Sequence, residues 1–253
     1  MKQLQALSIV TPGFFGLNTQ ESGVTLSPNF AEVADNVIID KYGRLGARKG
    51  WTMQTTTGSA QLSGEPIKFM LEHVNADDSL DTLSAGNNKV FTGGIGAVLT
   101  DVTPAAYTIT SDNWSGANLN DTSILVQEGQ EPLIYSSVAT PVVKTITTYT
   151  GVTQNFGTAY PNGVIAAWGR YWSFTKNAVY WSTDIVDTAF PAFNGGSSGS
   201  LNIASVLPDN TDDIISIAAH NNFLIIFCRH HIVIYSGADN PISINFALQD
   251  IIV

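Results

Sequence analysis

The sequence predicts an all-β protein made of repeated units of several short strands. Only 13% of its 253 residues are charged while 44% are hydrophobic, so the charged surface stripe typical of helices is missing. Aromatic residues end apolar, strand-like segments at intervals of 44, 45 and 55 residues, at Phe91, Tyr135, Tyr180 and Tyr235. A repeat of about 40 to 50 residues that contains several strands is typical of β-propeller blades. We therefore expect blades of this type.

Four ranges carry the repeat: 61–105, 106–150, 151–205 and 206–253. The clearest pair is "GVIAAWGRYWSFTKNAVYWSTD" (163–184) and "IISIAAHNNFLIIFCRHHIVIYSGAD" (214–239), in which Ala-Ala leads through a polar turn into two successive strands. In this alignment His220 takes the place of Trp168, so we expect His220 to pack. The insertion "NGGSSGS" (194–200) lengthens the third unit and is expected to be a flexible loop. A sandwich of hairpins with accidental spacing is the alternative.

The strands of the last unit, "FLIIF" and "IVIY", are apolar at successive positions and flank a tight turn at 228–231. Such strands are usually buried on both faces, so neighbours are expected on either side. Propellers have about four to eight blades, and four units, one of them weak, close a ring only with difficulty. The sequence also stops in the strand-like "FALQDIIV". We expect either a piece of a longer protein or an incomplete ring whose edge a partner covers.

Residues 1–60 lie outside the repeat and are predicted to form a non-blade arm and a hairpin that make assembly contacts. In "SPNFAEV", Ser27 can cap a helical turn that contains Ala31. The stretch "NVIIDKYGRLGARKGW" (36–51) predicts a hairpin whose first strand is Val37–Ile39. This hairpin carries four of the 11 basic residues of a chain with net charge −10, namely Lys41, Arg44, Arg48 and Lys49.

The order "PGFFGLNTQES…LSPNFAEVADNVIIDKYGRLGARKGW" resembles the start of short-tailed bacteriophage tail proteins of the tail tubular protein B, or nozzle, family. The run from "GRYWSF" to "YSGADNP" is similar to the propeller portion of that family. The resemblance implies a virion structural protein, made in the host cytoplasm, that forms a ring of commonly six copies below the portal and adaptor. The genome would leave through this ring without specific binding. Members of the family are usually much longer than this chain.

The basic hairpin could dock on the acidic surface of a neighbouring copy or of the adaptor, since opposite charges across a seam favour assembly. Alternatively, its arginines pair locally with Asp35 and Asp40. The expected assembly interface consists of Phe14, Phe15, Lys41, Arg44, Arg48, Lys49 and Trp51. A net negative wall would also leave passing DNA mobile, because phosphate binding needs clustered basic residues.

The sequence offers little catalytic chemistry, so we expect no enzyme, no metal and no cofactor. His230 and His231 are adjacent on a strand and point to opposite sides, which prevents joint chelation. Asp77-Asp78 and Asp212-Asp213 are interpreted as solvated turns, and Asp184 and Asp239 as recurring turn residues. The alternative function is a carbohydrate-binding or carbohydrate-cleaving propeller of a receptor-binding tail protein. Its sugar-stacking candidates would be Trp114, Trp168, Tyr171, Trp172, Tyr180 and Trp181.

The chain has one cysteine, Cys228, which excludes an intrachain disulfide and is expected to be buried and inert. No signal peptide is evident, and no segment approaches the roughly 20 apolar residues of a membrane span. Location in the virion tail, with no membrane span, is therefore the expectation.

Overall fold

The computed structural model describes residues 15–22, 25–27, 29–31, 33, 35, 37–39, 45–48, 62–93, 98–139, 142–151, 153–157, 159–185, 190–207 and 212–253. The chain divides into two compact units, Met1–Met53 and Gln54–Val253. The arm boundary at residue 60 and the limits of the four repeated units remain predictions.

The first unit contains two small pairs of strands. β1 (Gly16–Leu17) pairs in parallel with β2 (Phe30–Ala31), and β3 (Val37–Ile39) pairs antiparallel with β4 (Leu45–Ala47). The strand expected at Val37–Ile39 is therefore present. The helical turn expected through Ala31 is wrong, because the Asn18 N–H donates to the Ala31 carbonyl at 3.0 Å and ties that segment to β1 as a strand.

The second unit contains four antiparallel sheets of four strands, and in each sheet the strands follow one another in chain order. Sheet A comprises β5 (Ile67–Val74), β6 (Leu80–Gly86), β7 (Lys89–Thr92) and β8 (Thr100–Asp101). Sheet B comprises β9 (Trp114–Leu119), β10 (Thr122–Gln127), β11 (Leu133–Tyr135) and β12 (Val143–Thr145). Sheet C comprises β13 (Gly163–Ala167), β14 (Arg170–Phe174), β15 (Ala178–Trp181) and β16 (Gly199–Asn202). Sheet D comprises β17 (Ile214–His220), β18 (Phe223–Cys228), β19 (Ile232–Ser236) and β20 (Ala247–Ile252).

The all-β prediction is confirmed. The described helical segments include the five-residue α1 (Ile146–Thr150) and a 3-10 turn at Ile203–Ser205. Thr145 caps α1 through a hydrogen bond from the Thr148 N–H, and Gly151 ends it with φ +69°. The four sheets close no ring over the part of the chain that is described.

The four aromatic residues that define the sequence spacing occupy one structural position. Phe91, Tyr135, Tyr180 and Tyr235 all lie on the third strand of their sheets. In sheets A, B and C the residue directly opposite on the second strand is a buried serine: Ser84, Ser123 or Ser173; in sheet D it is Leu224. The sequence repeat therefore corresponds to a repeat of strand register.

Consecutive sheets pack on one another, and the contacts run between their first strands: β5 with β9, β9 with β13, and β13 with β17. A separate hydrophobic cluster fills each junction. Leu83, Leu125 and Tyr135 belong to the A–B cluster, and Phe69 and Leu71 pack against it. Ile124 and Tyr171 belong to the B–C cluster, and Trp172, Trp181, Ile226 and Tyr235 to the C–D cluster.

Sheet D is covered on one face only, which corrects the expectation of burial on both faces. Leu224 and Ile226 are fully buried in the C–D cluster, whereas the next residue, Phe227, is 36% exposed. The cross-strand neighbours Phe227, Ile232 and Ile252, with Ile225 and Ile234, form the outer face of sheet D. None of these five belongs to the described hydrophobic clusters. The alternating burial pattern is the one of a strand with one packed face.

Two further expectations about loops are wrong. Part of "NGGSSGS" is not a flexible loop, since Gly199 and Ser200 begin β16; a side chain at Gly199 would collide with the ring of Trp181, so glycine is needed there. His220 does not take the place of Trp168 and is exposed. β17 is two residues longer than β13, so the turn residue equivalent to Trp168 is Asn221, and both have positive φ.

Gly163→Ala should lower the free energy of unfolding by about 1–3 kcal/mol, because overpacking strains a close-packed core. A β-carbon at Gly163 would lie 2.6 Å from the ring of Phe174, its partner across β13 and β14. Chemical denaturation measures the effect.

The control is a double-mutant cycle in the Phe174→Leu background, where the ring is gone and the added methyl group should cost much less. An equal cost in both backgrounds would contradict this account of Gly163.

Candidate functional site

The residues expected to form the assembly interface are only partly described. Phe14, Lys41, Arg44, Lys49 and Trp51 lie outside the described residues. Phe15 is 60% exposed, and its ring centroid lies 5.9 Å from that of Phe30. Arg48 is exposed and directly follows β4. The interface therefore remains a prediction, with Phe15 and Arg48 accessible at the surface.

A cavity of about 400 Å³ lies where sheets B, C and D meet, beside their first strands. Its floor is apolar, with Val164, Ile165 and Ile217. Glu128, Lys176, Asp213 and Arg229 line it as well, so its charges balance. The Arg229 Nε lies 3.4 Å from the Asp213 carboxylate.

The serine at this cavity connects two sheets. The Ser115 hydroxyl, on β9, accepts a hydrogen bond from the Val164 N–H (3.1 Å) and donates to the Val164 carbonyl (3.2 Å) on β13. Both hydrogen-bonding capacities of this hydroxyl are thereby used across the B–C junction. Neither histidine nor cysteine is among the described lining residues. The cavity can hold a small polar molecule but offers no nucleophile with an adjacent base.

A buried polar cluster crosses the A–B junction; we call it the His73 cluster. Sheet A and its β5–β6 turn contribute His73, Asn75 and Asp81. Sheet B and its β9–β10 turn contribute Asn118, Asp121, Ser123 and Tyr135. His73 is fully buried, and its Nδ1 lies 2.8 Å from the Ser123 Oγ and 2.9 Å from the Asn118 Nδ2. The Tyr135 hydroxyl donates to Asp81 at 2.6 Å, and its ring lies edge-on to His73 at 4.8 Å.

The environment of this cluster sets its protonation states. Burial lowers the pKa of His73 from its usual value, although Asp121 and Asp81 oppose that effect. The hydrogen bond from Tyr135, with a second from Asn75, lowers the pKa of Asp81. The pKa of Tyr135 is raised, chiefly by burial and then by Asp81. Neutral histidine and ionised Asp81 are therefore the favoured forms near neutral pH.

The serine, histidine and aspartate of this cluster have the residue types of a hydrolytic triad but not its accessibility. Ser123 is fully buried, as is His73. The His73 Nε2 lies 3.7 Å from the Asp121 Oδ1, beyond hydrogen-bond distance. A nucleophile must reach its substrate, so this arrangement serves the packing of two sheets.

Asp184, considered from sequence as a recurring turn residue, belongs to an ion pair at the rim of sheet C. Arg170 is 4% exposed, and its Nη2 lies 3.1 Å from the Asp184 carboxylate. Its Nη1 also donates to the carbonyls of Ser182 (2.9 Å) and Ser197 (3.2 Å). Arg170 thus ties the long connection between β15 and β16 to the sheet.

Asp212 is also not a solvated turn residue. Its side chain is 4% exposed and accepts hydrogen bonds from the backbone N–H groups of Arg229 and His230. The His231 Nδ1 lies 2.9 Å from the same carboxylate. Burial alone would raise the pKa of Asp212, but these hydrogen bonds outweigh it and lower the pKa. Asp212 therefore closes the turn between β18 and β19.

Asp77 fits the expectation of a solvated turn more closely, since it accepts hydrogen bonds from the Ser79 backbone and hydroxyl within the β5–β6 turn. Those bonds lower the pKa of its exposed carboxyl. Cys228 is partly buried, and burial raises the pKa of its thiol to about 11, so the reactive thiolate is scarce at neutral pH.

Several aromatic residues proposed to stack sugars are packed between sheets. Tyr171 and Trp172 are fully buried and Trp181 is 7% exposed. The Tyr171 hydroxyl donates to the Thr122 carbonyl of sheet B at 3.1 Å. The indole N–H of Trp168 donates to the Asn221 carbonyl of sheet D at 2.7 Å. These side chains bridge sheets and present no open stacking platform.

A survey of the described side chains for three or more His, Cys, Asp or Glu residues arranged to hold a metal finds none. Over the same residues, no helix has the length and apolar character needed to cross a membrane. Comparison with protein-family models and with curated protein sequences finds no match to the chain.

The sequence analysis missed the His73 cluster, although β5 contained a usable signal. In "IKFMLEHV", His73 follows Phe69 and Leu71 at a spacing of two, on the face that packs against sheet B. A histidine at that position of an alternating strand is directed into the core. Its partners Asn118 and Ser123 are 45 and 50 residues away, so spacing could not identify them.

Arg170→Ala should lower the free energy of unfolding by about 3 kcal/mol or more, because it removes a buried donor from two carbonyl groups and breaks the ion pair with Asp184. Arg170→Lys should recover part of this loss, since lysine restores the charge but not the planar guanidinium. Denaturant titration monitored by tryptophan fluorescence measures both.

The matched control is Arg229→Ala, which removes an arginine from an ion pair whose arginine side chain is 60% exposed. Exposed pairs contribute little, so the expected change is below about 1 kcal/mol. Comparable losses for the two arginines would contradict the structural role assigned to Arg170.

Proposed function

We propose that the chain is a structural component of a bacteriophage tail, of the nozzle or tail tubular protein B type. In this proposal, sheets A to D are blades of a β-propeller. Copies of the chain assemble into a ring, a hexamer, below the portal and adaptor, and the ring lines part of the channel for DNA ejection. The site of action is the virion tail, and DNA passes without specific binding.

The observation that carries this proposal is the repeated arrangement of the four sheets. Their strands follow chain order, their first strands contact one another in succession, and Phe91, Tyr135, Tyr180 and Tyr235 share one position. Radial repetition of four-stranded sheets around inner first strands is the architecture of a propeller. The resemblance of the arm and of residues 169–241 to the nozzle family then directs the proposal to a phage tail.

The exposed outer face of sheet D supports assembly. The outer face of sheet D exposes Phe227 and Ile252, at 36% and 47%. Contiguous apolar surface of this kind usually marks an interaction site. In the proposed ring, a neighbouring copy covers the outer face of sheet D.

The polar groups support a role that does not depend on catalysis. The buried side chains His73, Arg170 and Asp212 are engaged in holding sheets, connections and turns. The buried aromatic residues between sheets weigh against the carbohydrate-binding alternative, which needs exposed rings. The net charge of −10 also weighs against gripping DNA, because phosphate binding needs clustered basic residues in excess of acidic ones.

Mass photometry of the purified chain, alone and mixed with the adaptor and other tail proteins of the same phage, tests the function. A symmetric high-order oligomer, or assembly only with the adaptor, is expected. A monomer or trimer that does not bind these tail proteins, and that binds a glycan on an array, would overturn the proposal in favour of a receptor-binding module.

The triple change Arg44→Glu, Arg48→Glu and Lys49→Glu should abolish assembly, because it replaces attraction across the proposed seam with repulsion. The fold should survive. Far-ultraviolet circular dichroism and the melting temperature check this and should stay close to those of the parent. The control is Lys68→Glu, Lys144→Glu and Arg229→Glu, which changes the net charge equally but lies in the second unit. Intact rings from the first variant would refute the basic hairpin as an interface.

Phe227→Lys should raise the protein concentration needed for ring assembly at least tenfold, because the lysine charge would have to be desolvated against a neighbouring copy. Phe227 is partly exposed in the single chain, so the melting temperature of the variant monomer should stay close to that of the parent. Ile244→Lys is the control, because Ile244 is 97% exposed and lies in the β19–β20 connection. If both variants assemble equally well, the outer face of sheet D is not the seam.

A further inference from the structure

The His73 cluster joins sheet A to sheet B through polar contacts that the equivalent positions of the repeat lack. Ser84, Ser123 and Ser173 occupy equivalent buried positions opposite the third-strand aromatic residue. The hydroxyls of Ser84 and Ser173 have no hydrogen-bond partner among the described residues, whereas that of Ser123 lies 2.8 Å from the His73 Nδ1. The imidazole is therefore a particular feature of the A–B junction.

The hydrogen bonds identify the tautomer of His73. The Asn118 amide nitrogen can only donate, and it lies 2.9 Å from the His73 Nδ1, so Nδ1 accepts and carries no proton. The proton of the neutral ring is then on Nε2, which is fully buried and faces the Asp121 Oδ1 at 3.7 Å. The Asn118 amide also lies 3.3 Å from the Ser123 Oγ and orients that hydroxyl.

Protonation of Nδ1 would convert this acceptor into a donor, which the Ser123 Oγ can accept but which also faces the Asn118 amide N–H group. The donor–donor contact would push Asn118, and with it β9, away from His73. The charge would also be buried, with the edge of the Tyr135 ring on one side. Partial compensation would come from the carboxylates near the imidazole: Asp121 in the β9–β10 turn, and Asp81 on β6, which has Asp77 of the β5–β6 turn beside it.

The remaining contacts across this junction depend on the same alignment. The Tyr135 hydroxyl reaches Asp81 at 2.6 Å, and the Ala76 N–H donates to the Asp121 carboxylate at 2.8 Å. Both contacts cross from one sheet or its turn to the other, within a few residues of the His73 contact. Displacement of β9 from β5 would lengthen them together.

We propose that neutral His73 locks sheet A onto sheet B, and that mild acidification releases this junction while the B–C and C–D junctions stay closed. Burial disfavours the protonated form, so the unfolded or opened state takes up the proton more readily than the closed state. The stability that the lock contributes is present above the ordinary histidine pKa of about 6.5. It is lost as the pH falls from there through the lowered value of the closed state.

Hydrogen–deuterium exchange of the whole chain between about pH 7 and about pH 5, corrected for intrinsic rates, tests the lock. Uptake of one proton on opening makes exchange of the amides of β5 and β6 accelerate by up to about tenfold per pH unit below 6.5. The amides of β14 and β15 should show no comparable acceleration. Equal acceleration in both pairs of strands, or none in β5 and β6, would overturn the proposal.

His73→Asn keeps a polar acceptor near the position of Nδ1 but cannot titrate, so the acceleration in β5 and β6 should disappear. His220→Asn removes an exposed histidine as the matched control and should behave like the parent. Persistence of the pH effect in His73→Asn would overturn the proposal. If that variant does not fold, NMR titration of the His73 ring in the parent decides: a midpoint below the ordinary value supports the lock, and one above it overturns the lock.

Discussion

The packing of aromatic and aliphatic side chains between consecutive sheets is the constraint on which the other features of this protein depend. At the C–D junction, the ring centroids of Trp172, Trp181 and Phe246 lie 5.6–6.2 Å apart, and the tilted ring of Tyr235 packs against Phe246 at 5.1 Å. Burial of such rings is favourable in proportion to the apolar area removed from water, and tilted ring pairs add to it. A four-stranded sheet of short strands cannot bury both faces alone, so each sheet needs its neighbour.

That constraint also determines what the polar side chains do. A polar group buried between sheets is favoured where it finds a partner there, because an unsatisfied one costs about 1–3 kcal/mol. Ser115 and Tyr171 meet this requirement across the B–C junction, and His73 across the A–B junction. These three polar side chains thus take part in the packing of the sheets. The outer face of sheet D has no such neighbour in the described structure and is the surface on which the proposed assembly depends.

Sequence spacing was sufficient to find the repeat, because a strand-ending aromatic residue in each unit meets the same packing need. It failed where a contact depends on another unit. The one-sided burial of β18 could not be seen in "FLIIF", since an apolar run does not reveal how many faces are covered. His73 and Ser123 are separated by 50 residues, and only the stacking of sheets A and B brings them together. The alignment of His220 with Trp168 failed because β17 is longer than β13.

The most direct test of stacked, equivalent sheets is an electron cryomicroscopy map of the chain in its assembled state, at a resolution that separates strands. The account predicts four consecutive sheets around one axis, with Phe91, Tyr135, Tyr180 and Tyr235 at one radius and the outer face of sheet D against a neighbouring copy. A map in which the sheets pair face to face as a sandwich, with these aromatic residues in unrelated places, would contradict it.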